Sequence, residues 1–401
     1  MASAYELQAG TISAVLSGTA SVVKTTVGGV LLTAANTYAG TTTVGIAGGV
    51  EAGVLRLDLA GKLSNSATRV FAGTLDLNGT DQMVASLALG GGASASVARV
   101  TLAGGILRLG GDLTFDAANA SGGAVVTGGT LDLGGMRIVS VARSANAASD
   151  LSLDASIVNG GLVKEGAGVL ALNQVNSYTG ATLLNAGKLI LGVDGALPGS
   201  TDVLVGAAEL ALGNTSQSTR LVTLNGGVIS GGTLSAGSYM LQGGTVNANL
   251  GQGVAMVSGG VTQLNGTIAA PTVEVASGKL VIGVDGSLSG GASVWVSGGE
   301  LALGATTQST ANLRLLGGQV TSSSGSLEAL TFDVRAGTLS AVLSGAGALA
   351  KSTAGEVLLT RANSYSGGTT VLDGKLALGV DGALSTLTDV VVLGGELALG
   401  S

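Results

Sequence analysis

At 401 residues, with 71 glycines, 2 prolines and neither cysteine nor histidine, the chain excludes several classes of protein at once. The glycines have no three-residue period, which removes collagen. With 46% apolar against 10% charged residues the chain can bury a core and is not a disordered polyelectrolyte. A net charge of −7 offers nucleic acid no basic face. Without His and Cys there is no Ser-His-Asp triad, Cys-His pair, disulfide or histidine zinc site.

In chain order, the opening MASAYELQAG has neither the basic nor the apolar segment of a signal peptide. Residues 1–4 and 400–401 read as cloning-derived, and the chain as a fragment of something longer. No apolar run approaches the roughly 18 residues of a membrane-spanning helix, so no membrane insertion by this fragment is expected. The first repeat copy covers residues 5–44 and aligns with 332–371 at a shift of 327, with 23 of 40 positions identical. It holds VLLTAANTYAG at 30–40, with Asn36 and Tyr38, and Lys24 twelve residues before the asparagine. Residues 45–150 continue only a glycine–leucine rhythm, GVLRL at Gly53, GTLDL at Gly73, GILRL at Gly105 and GTLDL at Gly129.

A second copy, 164–213, holds Lys164, Asn176 and Tyr178, then GKLILGVDG and AELALG. The copy at 239–304 keeps GKLVIGVDG and GELALG but lacks the Asn-x-Tyr element near residues 264–278. The last, 332–401, has Lys351, Asn363 and Tyr365, then GKLALGVDG and GELALG. Throughout, G-x-L-x-L places two aliphatics on one strand face, with no helical periodicity, so the chain reads as all-β. Steps of 21 residues (187 to 208, 278 to 299, 374 to 395) match one coil of a parallel β-helix. A single solenoid over 1–401 would then have about 19 near-uniform coils without insertion loops, roughly 90 Å long at about 4.8 Å per coil.

Charge alternates across the 21-residue step: Lys188 with Glu209, Lys279 with Glu300, Lys375 with Glu396. Stacked coils would bring these side chains together on the outer face as register devices, each pair contributing at most about 1 kcal/mol. Arg56 with Asp76 and Arg108 with Asp132 follow the same pattern. Asp194, Asp285 and Asp381 lie in Asp-Gly turns; they stand 91 and 96 residues apart, whereas a calcium β-roll repeats its aspartates about every nine residues. No cofactor or metal is expected. Asn36, Asn176 and Asn363 are read as corner residues bonded to backbone. Tyr38, Tyr178 and Tyr365 would pack over that corner, with contact to carbohydrate as the alternative. Trp295 alternates with Val294 and Val296 and points outward, either as an exposed contact or as variation at a tolerant position.

The run GAGVLALNQVNSYTGATLLNAGKLILG, with its kin at 28–44 and 355–379, resembles the autotransporter passenger-associated β-strand repeat. That resemblance implies a right-handed parallel β-helix exported and displayed at the surface of a Gram-negative cell, anchored in the outer membrane in the full-length protein. It also implies a role in adhesion, autoaggregation or biofilm formation. Homotypic self-association, side by side or end to end, is the expected partnership, with a host surface or polysaccharide as the alternative. Flat outer faces rich in Thr, Ser and Val, for example 41–43 and 369–371, would make the side-by-side contact. A passive stalk is the second reading. A carboxylate-dependent polysaccharide-active enzyme is the third; it would need acidic clusters on consecutive coils, where this sequence alternates sign.

Overall fold

The computed structural model describes residues 4–145, 147–387 and 389–399. Of the residues expected to derive from cloning, only Ala4 is among them, in the strand Ala4–Leu7. The chain is an all-β parallel solenoid of about 21 turns at a spacing near 19 residues. It divides into two compact units, Met1–Ser218 and Thr219–Ser401.

In the first unit one parallel ladder runs Ala4–Leu7, Ser21–Lys24, Thr42–Val44, Ala67–Val70 and Ser86–Gly90. It continues through Leu113–Asp116, Met136–Val141, Gly161–Glu165, Thr182–Leu184 and Asp202–Val205. A second ladder begins Gly10–Ile12, Val30–Leu32, Val54–Leu57 and Gly73–Asp76. A shorter third one stacks Gln82–Val84 under Ile106–Leu109 and then under residues 130–132. In the second unit the principal ladder stacks residues 254–257, 272–275, 293–296, 312–315, 331–334, 348–351 and 369–371. In most strands every second side chain enters the interior. One such column, Leu241, Val257, Val275, Val296, Leu315 and Val334, is fully buried. Each of these contributes about 1.5–3 kcal/mol by leaving water.

The coil is less uniform than a constant 21-residue period. The step is 16 residues from Leu241 to Val257 in the second unit and 26 from Val44 to Val70 in the first. The long coils of the first unit, contrary to the expectation of no insertion loops, carry their extra residues at one corner. There the loops bond to one another: Gly48 N–H donates to Gly91 O at 2.9 Å, Ala93 N–H to Gly49 O at 2.7 Å, and Gly122 N–H to Ser96 O at 2.6 Å. A 3₁₀ turn, Ala118–Ala120, lies in this rib. Near it Arg143 pairs with the buried Asp150 at 3.0 Å, and Asp150 also accepts from the backbone N–H of Ser144 and Val169.

The glycine before many of these strands marks a close approach between coils. A Cβ on Gly318 would stand 2.2 Å from Gly299 O, and one on Gly337 would stand 2.3 Å from Gly318 O. Both have positive φ, +69° and +114°. Only a residue without a side chain fits such a corner.

Candidate functional site

The N-[ST]-Y corner is built alike three times. Asn36 Oδ1 accepts the backbone N–H of Leu16 at 2.9 Å, and its Nδ2 donates to Lys62 O at 2.9 Å. Asn176 does the same with Ile157 N (2.7 Å) and Ala196 O (2.8 Å), and Asn363 with Leu343 N (2.8 Å) and Ala383 O (2.6 Å). Each asparagine therefore ties the coil before it to the coil after it, with donor and acceptor both used. A buried amide left half-satisfied would cost about 1–3 kcal/mol.

The tyrosines lie inside the solenoid, not over its corner. Tyr38, Tyr178 and Tyr365 are at most 1% exposed. Their hydroxyls meet the Thr four residues on, at 2.5 Å for Thr42, 2.6 Å for Thr182 and 2.7 Å for Thr369. Interior rings cannot stack on a sugar, which overturns the carbohydrate alternative for them. The same burial corrects the face assigned to 41–43 and 369–371, because Thr42, Thr369 and Val371 point inward at 0% exposure.

Beneath each tyrosine corner sits a buried lysine that sequence reasoning noted only by its spacing. Lys24, Lys164 and Lys351 are all 0% exposed. Lys164 Nζ donates to Glu165 O and Gly166 O at 2.8 Å and to Ala186 O, one coil on, at 3.2 Å. Lys24 reaches Thr26 O and, at 2.7 Å, Ala52 O; Lys351 reaches Thr353 O and, at 2.9 Å, Asp373 O. Burial lowers the pKa of all three, that of Lys164 to about 8, with Asp150 opposing the shift there. Burial raises the tyrosines, Tyr178 to about 12.

These shifts set a pH profile. A lysine depressed from 10.5 to about 8 contributes stability at high pH that is lost as pH falls through 8. A tyrosine raised from 10.0 to about 12 contributes stability that is lost as pH rises past 10. Thermal unfolding followed from pH 7 to 12 should therefore show stability climbing between about 8 and 10 and falling above. A flat or falling course from 8 to 10 would contradict the lysine shift.

On the outer faces, Lys188 meets Glu209 at 3.0 Å and Lys279 meets Glu300 at 2.9 Å. Lys375 lies in register with Glu396, but its ion pair is with Glu356, one coil earlier, at 3.4 Å. The aspartates of two GVDG turns accept backbone N–H groups from the following coil, Asp194 from Ser216 and Asp285 from Thr307, each at 2.8 Å. Asp381 is exposed. Among the described residues no cluster of three or more acidic side chains is placed to hold a metal ion. Trp295 is half-buried in an outward column between Glu274 and Arg314, whose guanidinium lies 5.2 Å from the ring centre. On the same face Met240, Val254 and Met256 are 36%, 47% and 36% exposed, with Met256 stacked in register on Met240.

Residues 162–191 and 349–378 match the passenger-associated-transport-repeat family. These two segments are similar to that repeat. Each matched passenger repeat begins two residues before its buried lysine, Lys164 or Lys351, and contains the Asn-x-Tyr corner. The copy with Lys24, Asn36 and Tyr38 lies outside the two matches, yet makes the same bonds. A curated relative, the adhesin BmaC autotransporter of Brucella suis biovar 1 (strain 1330), is 35% identical over 117 residues. The match covers 29% of this chain and 3% of that protein, so the chain spans a small part of the relative's length. No solved structure matches.

A second inter-coil device went unread in the sequence: T-x-Q, at 80–82, 215–217 and 306–308. Gln82, Gln217 and Gln308 each accept a backbone N–H from the preceding coil, those of Leu63, Leu197 and Leu288, at 2.9–3.0 Å. Each also donates to the Thr two residues before it.

Proposed function

We propose that this chain is a stretch of a surface-displayed autotransporter passenger that works structurally, by adhesion between identical solenoids packed side by side, as in autoaggregation or biofilm formation. The observation that carries the reading is the outward patch of Met240, Met256 and Val254, which Glu274 separates from Trp295 in the same column. Side chains at these positions are normally polar, and contiguous exposed apolar surface marks an interaction face. A flat sheet face repeats its contacts at about 4.8 Å intervals. Many weak contacts along repeated coils add to a strong one through avidity. Similarity to an adhesin supports the same conclusion, and the chemistry proposed is contact, with no reaction catalysed.

Beads coated with the protein should clump, and the double variant Met240→Ser/Met256→Ser should clump markedly less while its melting temperature stays within a few degrees of the parent. Clumping unchanged by the variant would remove this face from the contact. Beads that never clump would leave the passive stalk as the better reading.

A further inference from the structure

The three T-x-Q turns share one frame and differ in what surrounds it. Gln82 Oε1 accepts Leu63 N–H at 2.9 Å, as Gln217 accepts from Leu197 and Gln308 from Leu288, each at 3.0 Å. That common bond puts the residues on either side of each leucine and glutamine in correspondence. At the second and third turns they are bland: Ala196 and Ser287 before the leucine, Gly199 and Gly290 two residues after it, Ser218 and Ser309 after the glutamine. At the first turn the same places hold Lys62, Asn65 and Met83, and Asp81 stands where the others have Ser216 and Thr307. The turn aspartate, Asp194 or Asp285 elsewhere, is here Ala60.

The four replaced positions converge. Lys62, Asn65, Asp81 and Met83, with Ile106 and Arg108 of the next coil, line a cavity of about 310 Å³. Several of its polar groups are already engaged. Gln82 uses its amide on Leu63, Thr80 and Gly61, so it serves as wall. Arg108 Nε pairs with Asp132 at 2.8 Å, and Asp81 Oδ1 accepts Ile106 N–H at 2.9 Å. The ammonium of Lys62 is exposed and, among the described residues, has neither hydrogen bond nor ion pair. Met83 is 43% exposed on a strand whose counterparts carry serine, so its side chain serves the cavity and not the core.

We infer that this cavity is a binding site for a sugar acid, one pyranose ring carrying a single carboxylate. The volume lies at the lower end of the roughly 300–1,000 Å³ of small-molecule sites, too large for an inorganic ion alone. The unpaired Lys62 supplies one positive charge for the carboxylate, with the guanidinium of Arg108 on the same wall. Asp81 accepts from ring hydroxyls and Asn65 both donates and accepts. Met83 and Ile106 offer the apolar surface on which the C–H face of a pyranose lies. A doubly charged phosphate would meet Asp81 as a like charge and leave that apolar surface uncovered. The inference is independent of the side-by-side contact proposed above, whose residues lie in the second unit.

The sister turns supply the control. The variant Lys62→Ala/Asn65→Gly/Asp81→Ser/Met83→Ser gives the first turn the side chains of the second, and its melting temperature should stay within a few degrees of the parent. The full chain, labelled at the methyl groups of its five methionines, is titrated with D-glucuronate, D-glucose and acetate. The Met83 methyl signal, assigned by its loss in Met83→Ser, should shift saturably with glucuronate at millimolar concentration, and about tenfold more weakly with glucose or acetate. Lys62→Ala should bring glucuronate down to the level of glucose. Saturation transfer to glucuronate, which needs no methionine, should vanish in the fourfold variant. Equal affinity for glucuronate and glucose would overturn the charge selection, and acetate as strong as glucuronate would overturn the sugar. Saturation transfer that persists in the fourfold variant, or a Met83 signal that does not move, would overturn the site itself.

Discussion

Gly318→Ala should destabilise the second unit by about 4 kcal/mol or more, at the extreme of single substitutions. Two effects act together. The new methyl would lie 2.2 Å from Gly299 O, 2.9 Å from Gly298 C and 3.0 Å from Gly299 N. These are backbone atoms of the neighbouring coil, which cannot turn aside as a flexible side chain does. To admit the methyl, the coils must part by about 1 Å, which weakens the ladder hydrogen bonds between Glu300–Ala302 and residues 319–321. The φ of +69° adds roughly 1 kcal/mol for any residue with a Cβ. Gly259→Ala is the control. A methyl at Gly259 would meet nothing within 4 Å and its φ is not positive, so the effect should stay within about 0.5 kcal/mol. Chemical denaturation of the two variants gives the comparison, and amide exchange should place the loss in the coils on either side of residue 318, since repeats couple mainly to their neighbours. Equal stability of the two variants would mean that the corner opens freely and that the recurrent glycine has another cause.

Gly318 opens GQVTS and so falls outside the G-x-L-x-L pattern by which the sequence marks its strands. G-x-L-x-L reads as a strand with a turn residue before it, and the inward leucines follow from alternation alone. That Gly318 sits on Gly299 depends on the stacking of coils, and the coil step varies from 16 residues (Leu241 to Val257) to 27 (Ala124 to Leu151). The charge pairs were legible because each needs only one outward residue per coil at a constant step. Lys375 shows the limit: register places it beside Glu396, while the side chain is long enough to choose Glu356 instead. The insertion rib between 45 and 150 was illegible because its longer steps break the period that was being read. T-x-Q was missed for a different reason. In a chain full of Thr and Ser nothing distinguishes Gln308 from a solvated residue until Leu288 N–H and Val284 O are found on either side of its amide. The interior lysines were hidden by a sound rule, since lysine is among the residues least often buried.

Lys164→Met tests that exception and should cost about 2–4 kcal/mol. The methionine keeps most of the aliphatic stem in the column with Val139 and Leu184, so no large cavity opens. What changes is polar. The carbonyls of Glu165, Gly166 and Ala186 lose their common donor, and each buried carbonyl left without a partner costs about 1–3 kcal/mol. Against this stands the relief of removing a charge from the interior. Burial lowers the lysine pKa to about 8, so removing the charge recovers part of that cost at neutral pH, where the lysine is protonated. Three carbonyls outweigh one charge, but not by much, and pH separates the two effects. A neutral amine at pH 10 still has two N–H groups to donate, whereas methionine has none at any pH. The parent should therefore gain on the variant as pH rises from about 8 to 10, widening the difference in unfolding free energy. A variant as stable as the parent at pH 7 and at pH 10 would show that the corner carbonyls find water without help. The lysine at this step of the repeat would then be tolerated by the solenoid and not required by it.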